Sequence, residues 1–293
     1  MELRILRYFL AVAREENITR AAHTLNITQP TLSRQLMQLE DELSAQLFYR
    51  EKNKILLTEE GMLLRKRAEE LVELADRTEK EFSQQEKVIS GEIYLGAGEV
   101  ASMKVLAAEM KKFHDQYPLV RFHMHSGTGD DIKEKIERGL IDIALLVEPI
   151  NIEKFEYIQL KEKYKYGIIV KKDNPLALKE YVTKEDLVNE SLILSKRTPV
   201  QDMFQHWFGE MYEKINIIST FNLLYNASIM VEEGLGIALT IEKIAYNSQE
   251  SNVKFVPLYP TLETGTVLAW KKQQVNTITK TKFIEHLKST LND

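Results

Sequence analysis

The tripeptide Asn-Ile-Thr occurs twice in a short space, at residues 17–19 and again at residues 26–28. Asparagine and threonine are preferred helix N-caps, because their side-chain oxygens accept hydrogen bonds from the free amides of a first turn. The repeat therefore predicts one helix that begins after Asn17 and another that begins after Thr28. Asn26 tolerates a turn conformation, so a tight turn is predicted between the two helices.

Apolar spacing extends this pattern to three helices. Apolar residues recur at helical intervals between residues 3 and 13, and a shorter helix is predicted over residues 18–25. In the third segment Pro30 falls in the first turn, where its missing N–H costs no hydrogen bond. Leucines then recur at intervals of 4, 3 and 4, which predicts one narrow buried stripe. The stripe consists of Leu32, Leu36, Leu39 and Leu43.

The face opposite this stripe carries side chains that suit DNA. Its positions, including the N-terminal end of the helix, are Gln29, Pro30, Thr31, Ser33, Arg34, Met37 and Gln38. Glutamine pairs with adenine edges, arginine with guanine or phosphate, and serine or threonine with phosphate or base edges. A short helix, a tight turn and a longer helix with such a face are typical of a helix-turn-helix. The other interpretation is an ordinary solvated helix face.

The segment LFYREKNKILLT, residues 47–58, predicts two short strands around a polar turn at Lys52 and Asn53. Arg50, Lys52 and Lys54 place three positive charges on or near the tip. Beside a recognition helix, a hairpin with a basic tip is a wing that suits phosphates or the minor groove. Taken alone, a charged hairpin tip is usually only solvated.

Composition and charge exclude several classes of protein. The net charge of the chain is −5, but residues 1–58 carry eight Lys/Arg and seven Asp/Glu, so the head binds DNA only if its cations share one face. The absence of cysteine excludes disulfides, thiolate metal sites and a cysteine nucleophile, and it fits the reducing cytoplasm. No signal peptide or membrane-spanning run is recognised, so neither glycosylation of the Asn-Ile-Thr sites nor a membrane partner is expected.

A long helix is predicted from Thr58, a plausible N-cap, toward Lys87. Apolar and small residues along it are spaced 4, 3, 4, 3 and 4 apart, as in a heptad seam. The seam consists of Leu64, Ala68, Leu71, Ala75, Thr78 and Phe82. One interpretation is a dimerisation helix that would pair two heads on DNA. The other is that the stripe packs on the chain's own body.

From Gly91 the pattern changes to alternating strands and helices, which predicts an α/β body. The predicted strands are GEIYLGAG, VRFHMHS, IDIALLV, YKYGIIV, SLILS, INIIS, GIALT, VKFVPL and GTVLAW. The predicted helices lie near residues 99–116, 129–138, 199–213, 222–233 and 274–291. Short segments of this kind favour two subdomains rather than one large sheet.

Two motifs in the body suggest chemistry that the remaining sequence does not support. Residues 96–101 fit G-x-G-x-x-A, but the acidic residue that a dinucleotide site needs after the next strand is missing. His123 and His125 share one strand face, yet no third metal ligand lies nearby in sequence. No nucleophile elbow or Ser-His-Asp spacing occurs, so neither an enzyme nor a cofactor is predicted.

A ligand cleft is nevertheless expected, since open α/β sheets bind ligands beyond the carboxyl ends of their strands. Four loops occupy such positions: residues 98–102, 127–130, 195–198 and 219–222. Their hydroxyls and helix N-terminal amides would favour a small anion, although Glu99 and Glu148 argue against a dianion. Each Ser or Thr in these loops has the alternative role of a helix cap.

The head resembles the winged helix-turn-helix of LysR-type transcriptional regulators. The resemblance lies in FLAVA, TRAA, TQPTLSRQL, LEDEL, QLFYR and LLTEEG, in family order between residues 5 and 61. It implies that Gln29, Pro30, Thr31, Ser33 and Arg34 contact DNA and that Arg50 anchors the wing, with Gln38, Lys52 and Lys54 as further candidates. Met37 departs from the family, in which many members carry a basic residue there.

The body resembles the family's effector-binding domain more loosely, through GLIDIALL, EEGLGIAL and element order. The resemblance implies a DNA-binding domain over residues 1–58, a dimerisation helix over 59–90 and a two-lobed domain over 91–293, similar to periplasmic binding proteins. One lobe would comprise about 91–163 and 266–293, the other about 164–265. The expected function is transcriptional regulation as a homodimer or homotetramer on a pseudo-palindromic operator, modulated by a small metabolite. Its candidate contacts are Gly98, Ser102, Thr128, Thr198 and Asn222.

Overall fold

The structure is a computed structural model that describes residues 1–50, 54–83, 89–243, 251–272 and 277–291, apart from the side chains of Arg50 and residues 80–83. The chain divides into two compact units, Met1–Gln85 and Glu86–Asp293. In the described ranges no helix combines the length and the apolar character that a membrane span requires.

The N-terminal unit contains three helices, a hairpin and a long helix. These elements are α1 (Leu3–Glu15), α2 (Ile18–Thr24), α3 (Gln29–Leu43), β1 (Phe48–Arg50), β2 (Ile55–Leu57) and α4 (Glu59–Ser83). The predicted caps are confirmed, because Asn17 accepts from the Arg20 amide at 3.0 Å and Thr28 accepts from the Thr31 amide at 3.4 Å. Asn26 adopts the predicted turn conformation with φ of 54°.

The core of the N-terminal unit forms where α1, α2 and α3 pack together. Phe9 and Val12 of α1 are fully buried, and so is Leu32 of α3. The small side chains of Ala21 and Ala22 let α2 approach its neighbours closely. The prediction that Leu43 belongs to the buried leucine stripe was wrong. Leu43 is 39% exposed, because α3 ends there and Ser44 turns the chain with φ of 50°.

The start of α4 is locked to the segment before the hairpin. The Thr58 hydroxyl donates to the Gln46 carbonyl at 2.6 Å and accepts from the Gly61 amide at 2.9 Å, which confirms Thr58 as the cap. Gly61 lies so close to the hairpin that an added Cβ would stand 2.2 Å from the Leu47 carbonyl oxygen. A glycine is therefore required where the helix crosses this backbone.

Replacing Gly61 by alanine is expected to destabilise the N-terminal unit by about 1–3 kcal/mol, the usual cost of overpacking. The carbonyl is backbone, so it cannot move away as a flexible side chain would. Thermal unfolding followed by circular dichroism measures the effect. Lys66→Ala serves as the control, since Lys66 of the same helix is exposed and its loss should change the unfolding free energy by less than about 0.5 kcal/mol. Equal stability of the two variants would contradict the close packing.

The predicted seam on α4 divides between two environments. Ala68 is fully buried in the core of its own unit, and Leu64 packs against the same cluster. The prediction that Ala68 faces a second subunit was therefore wrong, and the alternative of packing on the chain's own body holds for it. Leu64 is only half-buried, so its dimer contact stays a prediction. Arg7 of α1 also pairs with Asp76 of α4. Leu71 remains 41% exposed, whereas the side chain of Phe82 lies outside the described residues.

The C-terminal unit has two lobes, each built on its own sheet. In chain order its strands are β3 (Gly91–Ala97), β4 (Val120–Ser126), β5 (Ile143–Val147), β6 (Phe155–Gln159), β7 (Tyr164–Lys171), β8 (Ser191–Ser195), β9 (Asn216–Phe221), β10 (Ile237–Ile241), β11 (Val253–Pro257), β12 (Glu263–Thr264) and β13 (Thr266–Lys271). Its helices are α5 (Met103–Gln116), α6 (Gly129–Glu137), α7 (Lys184–Leu187), α8 (Thr198–Phe208), α9 (Leu224–Glu232) and α10 (Ile278–Leu291), with 3-10 turns at Pro175–Leu178 and Gly209–Lys214.

The sheet orders define the lobes. Lobe I contains β4-β3-β5-β13-β6, and lobe II contains β11-β7-β10-β8-β9 with β12 paired to β7. The chain crosses between the lobes twice, from β6 to β7 and from β12 to β13. Every predicted strand coincides with an observed one, while β6, β12 and the short helix α7 were missed. The predicted helix over 199–213 ends as an α-helix at Phe208 and continues as a 3-10 turn.

Two buried tyrosines stand at the start of lobe II, beside the crossing. Tyr164 is fully buried, and its hydroxyl donates to the Glu162 carboxylate at 2.9 Å. Burial raises the pKa of Tyr166 to about 12. Its hydroxyl therefore stays protonated at neutral pH and contributes no charge to the crossing.

A buried ion pair joins α10 to the sheet of lobe I. Lys280 Nζ lies 3.2 Å from Asp142 Oδ1, and the two side chains are 4% and 2% exposed. The other Asp142 oxygen accepts the Tyr94 amide of β3 at 2.8 Å. The charge of each partner is thus balanced inside the protein, where a lone charge would be costly.

A second buried carboxylate links α5 to α10. Lys112 Nζ lies 2.7 Å from Glu109 Oε1, and His286 Nε2 lies 2.9 Å from Glu109 Oε2. Burial raises the pKa of the Glu109 carboxyl, but hydrogen bonds from Lys112 and Thr290 outweigh burial and hold this pKa below its usual range. Because the folded pKa is lowered, the carboxylate stabilises the fold above the ordinary carboxyl pKa. That stability is lost as the pH falls through the folded value.

The Glu109→Gln variant is therefore expected to lose less stability than the parent chain on acidification between about pH 5 and pH 3. Urea unfolding at a series of pH values measures this slope. Glu134→Gln is the control, because Glu134 forms an exposed pair with Arg138. Identical acid slopes for the parent chain and Glu109→Gln would show that Glu109 carries no such linkage.

Candidate functional site

The exposed face of α3 presents the predicted polar side chains to solvent. Gln29, Pro30, Thr31, Arg34 and Gln38 are exposed, and Ser33 is half-buried. Met37 lies in the middle of this face and is 51% exposed. Leu32, Leu36 and Leu39 are buried behind it, so the helix is held by one side and free on the other.

Most polar side chains on this face are paired within the helix. Gln29 Nε2 donates to Ser33 Oγ at 2.7 Å, and Gln38 Nε2 donates to Glu42 Oε1 at 3.4 Å. Arg34 differs: within the described part of the chain its guanidinium has neither an ion pair nor a hydrogen bond. An arginine without an internal partner has all five of its N–H donors available for phosphates or base edges.

The hairpin beside α3 is formed as predicted and is tied to that helix. Strands β1 and β2 pair in an antiparallel arrangement, with Phe48 opposite Leu57. Glu40 of α3 accepts the amides of Leu47 and Phe48 at 2.7 and 3.3 Å, which fixes the hairpin's start. The Glu40 carboxylate thus ties the hairpin directly to α3.

Of the three cations predicted at the hairpin tip, the structure describes the side chain of Lys54. Lys54 Nζ lies 2.8 Å from Oε2 of Glu16, the residue that caps the C-terminus of α1. The hydrogen bond and the charge of Lys54 lower the pKa of the Glu16 carboxyl. Lys52 and the side chain of Arg50 lie outside the described residues, so their predicted DNA contacts stay predictions. Lys54 would have to exchange Glu16 for a phosphate.

A cleft lies between the lobes at the carboxyl ends of the strands, with a volume of about 110 Å³. All four predicted loops contribute to its lining: those after β3, β4 and β9, and the loop after β8, which contributes Arg197. Its lining residues are Gly98, Glu99, Gly127, Thr128, Gly129, Leu145, Leu146, Val147, Arg197, Phe221, Asn222, Leu223, Leu224 and Ile241. Apolar side chains form most of the wall, and few polar groups could orient a ligand.

The predicted effector contacts separate into two groups. Gly98, Thr128 and Asn222 line the cleft. Ser102 is fully buried, and Thr198 is an exposed residue of the first turn of α8, so neither lines the cleft in this structure. Thr128 also caps α6 by accepting from the Asp131 amide at 3.2 Å, as its alternative role predicted.

Arg197 lies in the predicted loop over residues 195–198, but it was not among the predicted ligand contacts. It belongs to lobe II, at the N-cap of α8, and its side chain is 11% exposed. Its Nε donates to Asp130 Oδ2 at 3.3 Å, and its two terminal nitrogens donate to the carbonyls of Val147 at 3.4 Å and Pro149 at 3.0 Å. All three acceptors belong to lobe I, so the side chain spans the cleft.

The acidic residues that were expected near the cleft differ in position. Glu99 lines it and is half-buried. Glu148 does not line it; its carboxylate accepts from Gln159 Nε2 at 3.4 Å. Among the described lining residues the charged ones are Glu99 and Arg197, and Arg197 pairs with Asp130, so the expectation that a dianion is disfavoured stays a prediction.

The two suspected motifs have structural explanations. A Cβ at Gly96 would stand 2.6 Å from Ile132 Cγ2, so this glycine permits close packing of α6 on the sheet. His125 Nε2 lies 2.8 Å from Asp131 Oδ2, and the His123 ring stacks on Tyr94 at 4.8 Å. Across the described ranges, no group of three or more His, Cys, Asp or Glu residues could hold a metal ion.

Comparison with known proteins agrees with this organisation. Residues 3–62 match the model of the bacterial regulatory helix-turn-helix protein of the lysR family, and residues 86–292 match the LysR substrate binding domain. The Hca operon transcriptional activator HcaR of Escherichia coli (strain K12) is 28% identical over 281 residues, which cover 94% of this chain and 93% of HcaR. The uncharacterized HTH-type transcriptional regulator YvbU of Bacillus subtilis (strain 168) is 29% identical over 247 residues, 83% of this chain and 82% of YvbU.

Solved structures share the fold over the full length. The crystal structure of CbnR, a LysR family transcriptional regulator, has a TM-score of 0.76 at 20% identity and covers 100% of both chains. CbnR complexed with its target DNA has a TM-score of 0.74 at 20% identity over 99% of both chains. The two family matches together span nearly the whole sequence and coincide with the two compact units. The chain belongs to the LysR family of DNA-binding transcriptional regulators, with an N-terminal helix-turn-helix and a C-terminal effector-binding domain.

Proposed function

We propose that the exposed face of α3 enters the major groove of double-stranded DNA and reads the operator. The observation that supports this most strongly is Arg34, which is exposed on this face and whose guanidinium has no partner within the described residues. Gln29, Thr31 and Gln38 provide further donors and acceptors beside it. Pro30 shapes the N-terminal turn, and Ser33 accepts a hydrogen bond from the Gln29 side chain there. This turn approaches the phosphates.

The wing supplies phosphate contacts in this proposal. Lys54 leaves Glu16 for a phosphate, while Arg50 and Lys52 bind the backbone from the tip. Such contacts orient the head on the duplex without reading sequence. Met37, which replaces a basic residue of many relatives, contacts a thymine methyl instead of a phosphate.

The chain acts as a homodimer or homotetramer on a pseudo-palindromic operator in the cytoplasm. The support is the outer side of α4, where apolar side chains remain exposed within the N-terminal unit. They are Met62, Leu63, Leu71 and Leu74, with exposures of 56%, 61%, 41% and 38%. Leu71, together with Ala75 and Phe82 of the predicted seam, forms the dimer contact. Two heads double the DNA contacts without new chemistry.

The cleft binds a small-molecule effector that no catalytic group or cofactor transforms. Gly98, Thr128 and Asn222 contact this ligand, and the apolar wall excludes water from it. Ligand binding changes the angle between the lobes, which changes how subunits pair and how the heads are spaced on DNA. A coupling of about 1–3 kcal/mol is typical and is sufficient to shift promoter occupancy.

The test is selection of genomic fragments by the full-length chain, followed by gel shift and footprinting. We expect sequence-selective binding that weakens steeply with salt and a footprint with two half-sites about one helical turn, or a multiple of it, apart. Binding that is equal for all fragments would contradict sequence-specific recognition. A footprint of one half-site would contradict the paired heads alone.

A further inference from the structure

The Arg197 side chain makes a set of contacts between the lobes that uses only groups of the chain itself. Asp130, at the N-terminal turn of α6, provides a carboxylate oxygen at 3.3 Å. The carbonyls of Val147 and Pro149, just beyond β5, accept the two terminal nitrogens. Because every acceptor is protein, the contacts need no ligand to form.

The surroundings of Arg197 hold it in this position. On its own lobe, the Arg197 amide donates to Ser195 Oγ at 3.3 Å, and Gln201 Nε2 donates to the Ser195 carbonyl at 3.0 Å. On the opposite lobe, Gly129 provides the room: a Cβ there would stand 3.3 Å from the guanidinium carbon. The guanidinium therefore lies directly against the backbone at the start of α6, where a larger side chain would displace it.

The geometry suits an arginine in particular. A planar guanidinium directs several donors along fixed lines, so one side chain can satisfy a carboxylate and two carbonyls at once. A lysine ammonium is a point charge and cannot reach three separated acceptors in the same way. The Arg197 side chain is 11% exposed, and its hydrogen bonds are charge-assisted, a class roughly twice as strong as hydrogen bonds between neutral groups.

We propose that Arg197 is an interlobe clasp that holds the two lobes of the effector domain in this closed arrangement independently of any ligand. The clasp sets the resting angle between the lobes, and a ligand that enters the cleft acts by strengthening or displacing the Arg197–Asp130 contact. This inference goes beyond the proposed function, since it concerns the chain without effector and without DNA.

The test measures the distance between the lobes in the full-length protein. The natural chain has no cysteine, so Glu137→Cys on lobe I and Gln205→Cys on lobe II give two unique spin-label sites. Labelled chains are diluted with unlabelled chains, so that pulsed electron-electron resonance reports distances within one chain. With no ligand added, we expect one narrow distance distribution in the parent protein. Arg197→Gln and Asp130→Asn should each broaden it and shift it to longer distances by several ångströms.

Two matched variants separate the clasp from general effects. Lys196→Gln removes a positive charge from the neighbouring exposed residue and should leave the distribution unchanged. Arg197→Lys keeps the charge but loses the planar fork, so it should behave as Arg197→Gln does. Asp130 has a side chain that is 57% exposed, so Asp130→Asn does not threaten folding and keeps the test decisive if Arg197→Gln unfolds. An unchanged distribution in Asp130→Asn, or in a folded Arg197→Gln, would overturn the proposal, whatever the DNA-binding result.

Discussion

Replacing Lys280 by methionine is expected to lower the free energy of unfolding of the C-terminal unit by about 3–5 kcal/mol, because the variant removes the buried ammonium that faces the Asp142 carboxylate. Both side chains of this pair are nearly inaccessible, with 4% and 2% exposure, so water cannot replace the lost ammonium. The effect exceeds that of a surface pair severalfold. Urea unfolding at neutral pH, followed by circular dichroism, measures it.

Two further variants identify the cause of the loss. Lys282→Met, two residues along the same helix, breaks an exposed pair with Glu285 and should cost less than about 1 kcal/mol. Adding Asp142→Asn to Lys280→Met also removes the buried carboxylate, so the double variant should recover part of the lost stability. If Lys280→Met costs no more than Lys282→Met, the buried pair does not hold α10 to lobe I.

Replacing Arg34 by alanine is expected to weaken operator binding by about 10–100-fold, which corresponds to the roughly 1–3 kcal/mol of a specific arginine contact to a base. Nonspecific binding should fall much less, since only one cation among several is lost. Fluorescence anisotropy with the selected operator and with a scrambled duplex, at the same salt concentration, measures both affinities.

Arg4→Ala is the matched control, because Arg4 is an exposed arginine of the same unit that pairs with Glu2. It should leave the ratio of specific to nonspecific affinity unchanged. Equal losses on the two duplexes in Arg34→Ala would show that Arg34 contacts only phosphate. The base reading would then have to come from Gln29, Thr31 and Gln38.

The head was predictable because its signals are local. Asn17 and Thr28 cap the helices that follow within three residues, and Pro30 and Asn26 have conformational preferences that do not depend on the remaining fold. The buried leucines of α3 follow from spacing alone. Leu43 did not follow, because a helix end leaves its last turn without a neighbour to pack against.

Spacing could not decide what a buried stripe packs against. The residues from Leu64 to Phe82 have the interval of a dimer seam, but Ala68 faces the core of its own unit. Helix α4 lies along α1 at that point, and the same 3.5-residue repeat serves an internal helix pair as well as an intermolecular one. Only the position of α1, a long-range feature, distinguishes the two cases.

The cleft shows the same division between local and long-range information. Strand ends indicated the loops that contain Gly98, Thr128 and Asn222, because topology places those ends together. Orientation within a loop depends on packing, which is why Ser102 is buried rather than facing the cleft. Arg197 was missed because its partners lie 48 to 67 positions away in sequence. A positive charge just before a Thr-Pro helix start was the only local sign.

Photo-cross-linking from α3 to the operator tests the central claim most directly. Met37 is replaced by the photoreactive analogue p-benzoylphenylalanine, and the same analogue at Leu178, which is 87% exposed in the C-terminal unit, serves as the control. The account predicts cross-links from position 37 to bases within each half-site and none from position 178. A protein that binds its operator yet yields no cross-link from position 37 would contradict the assignment of α3 as the recognition helix.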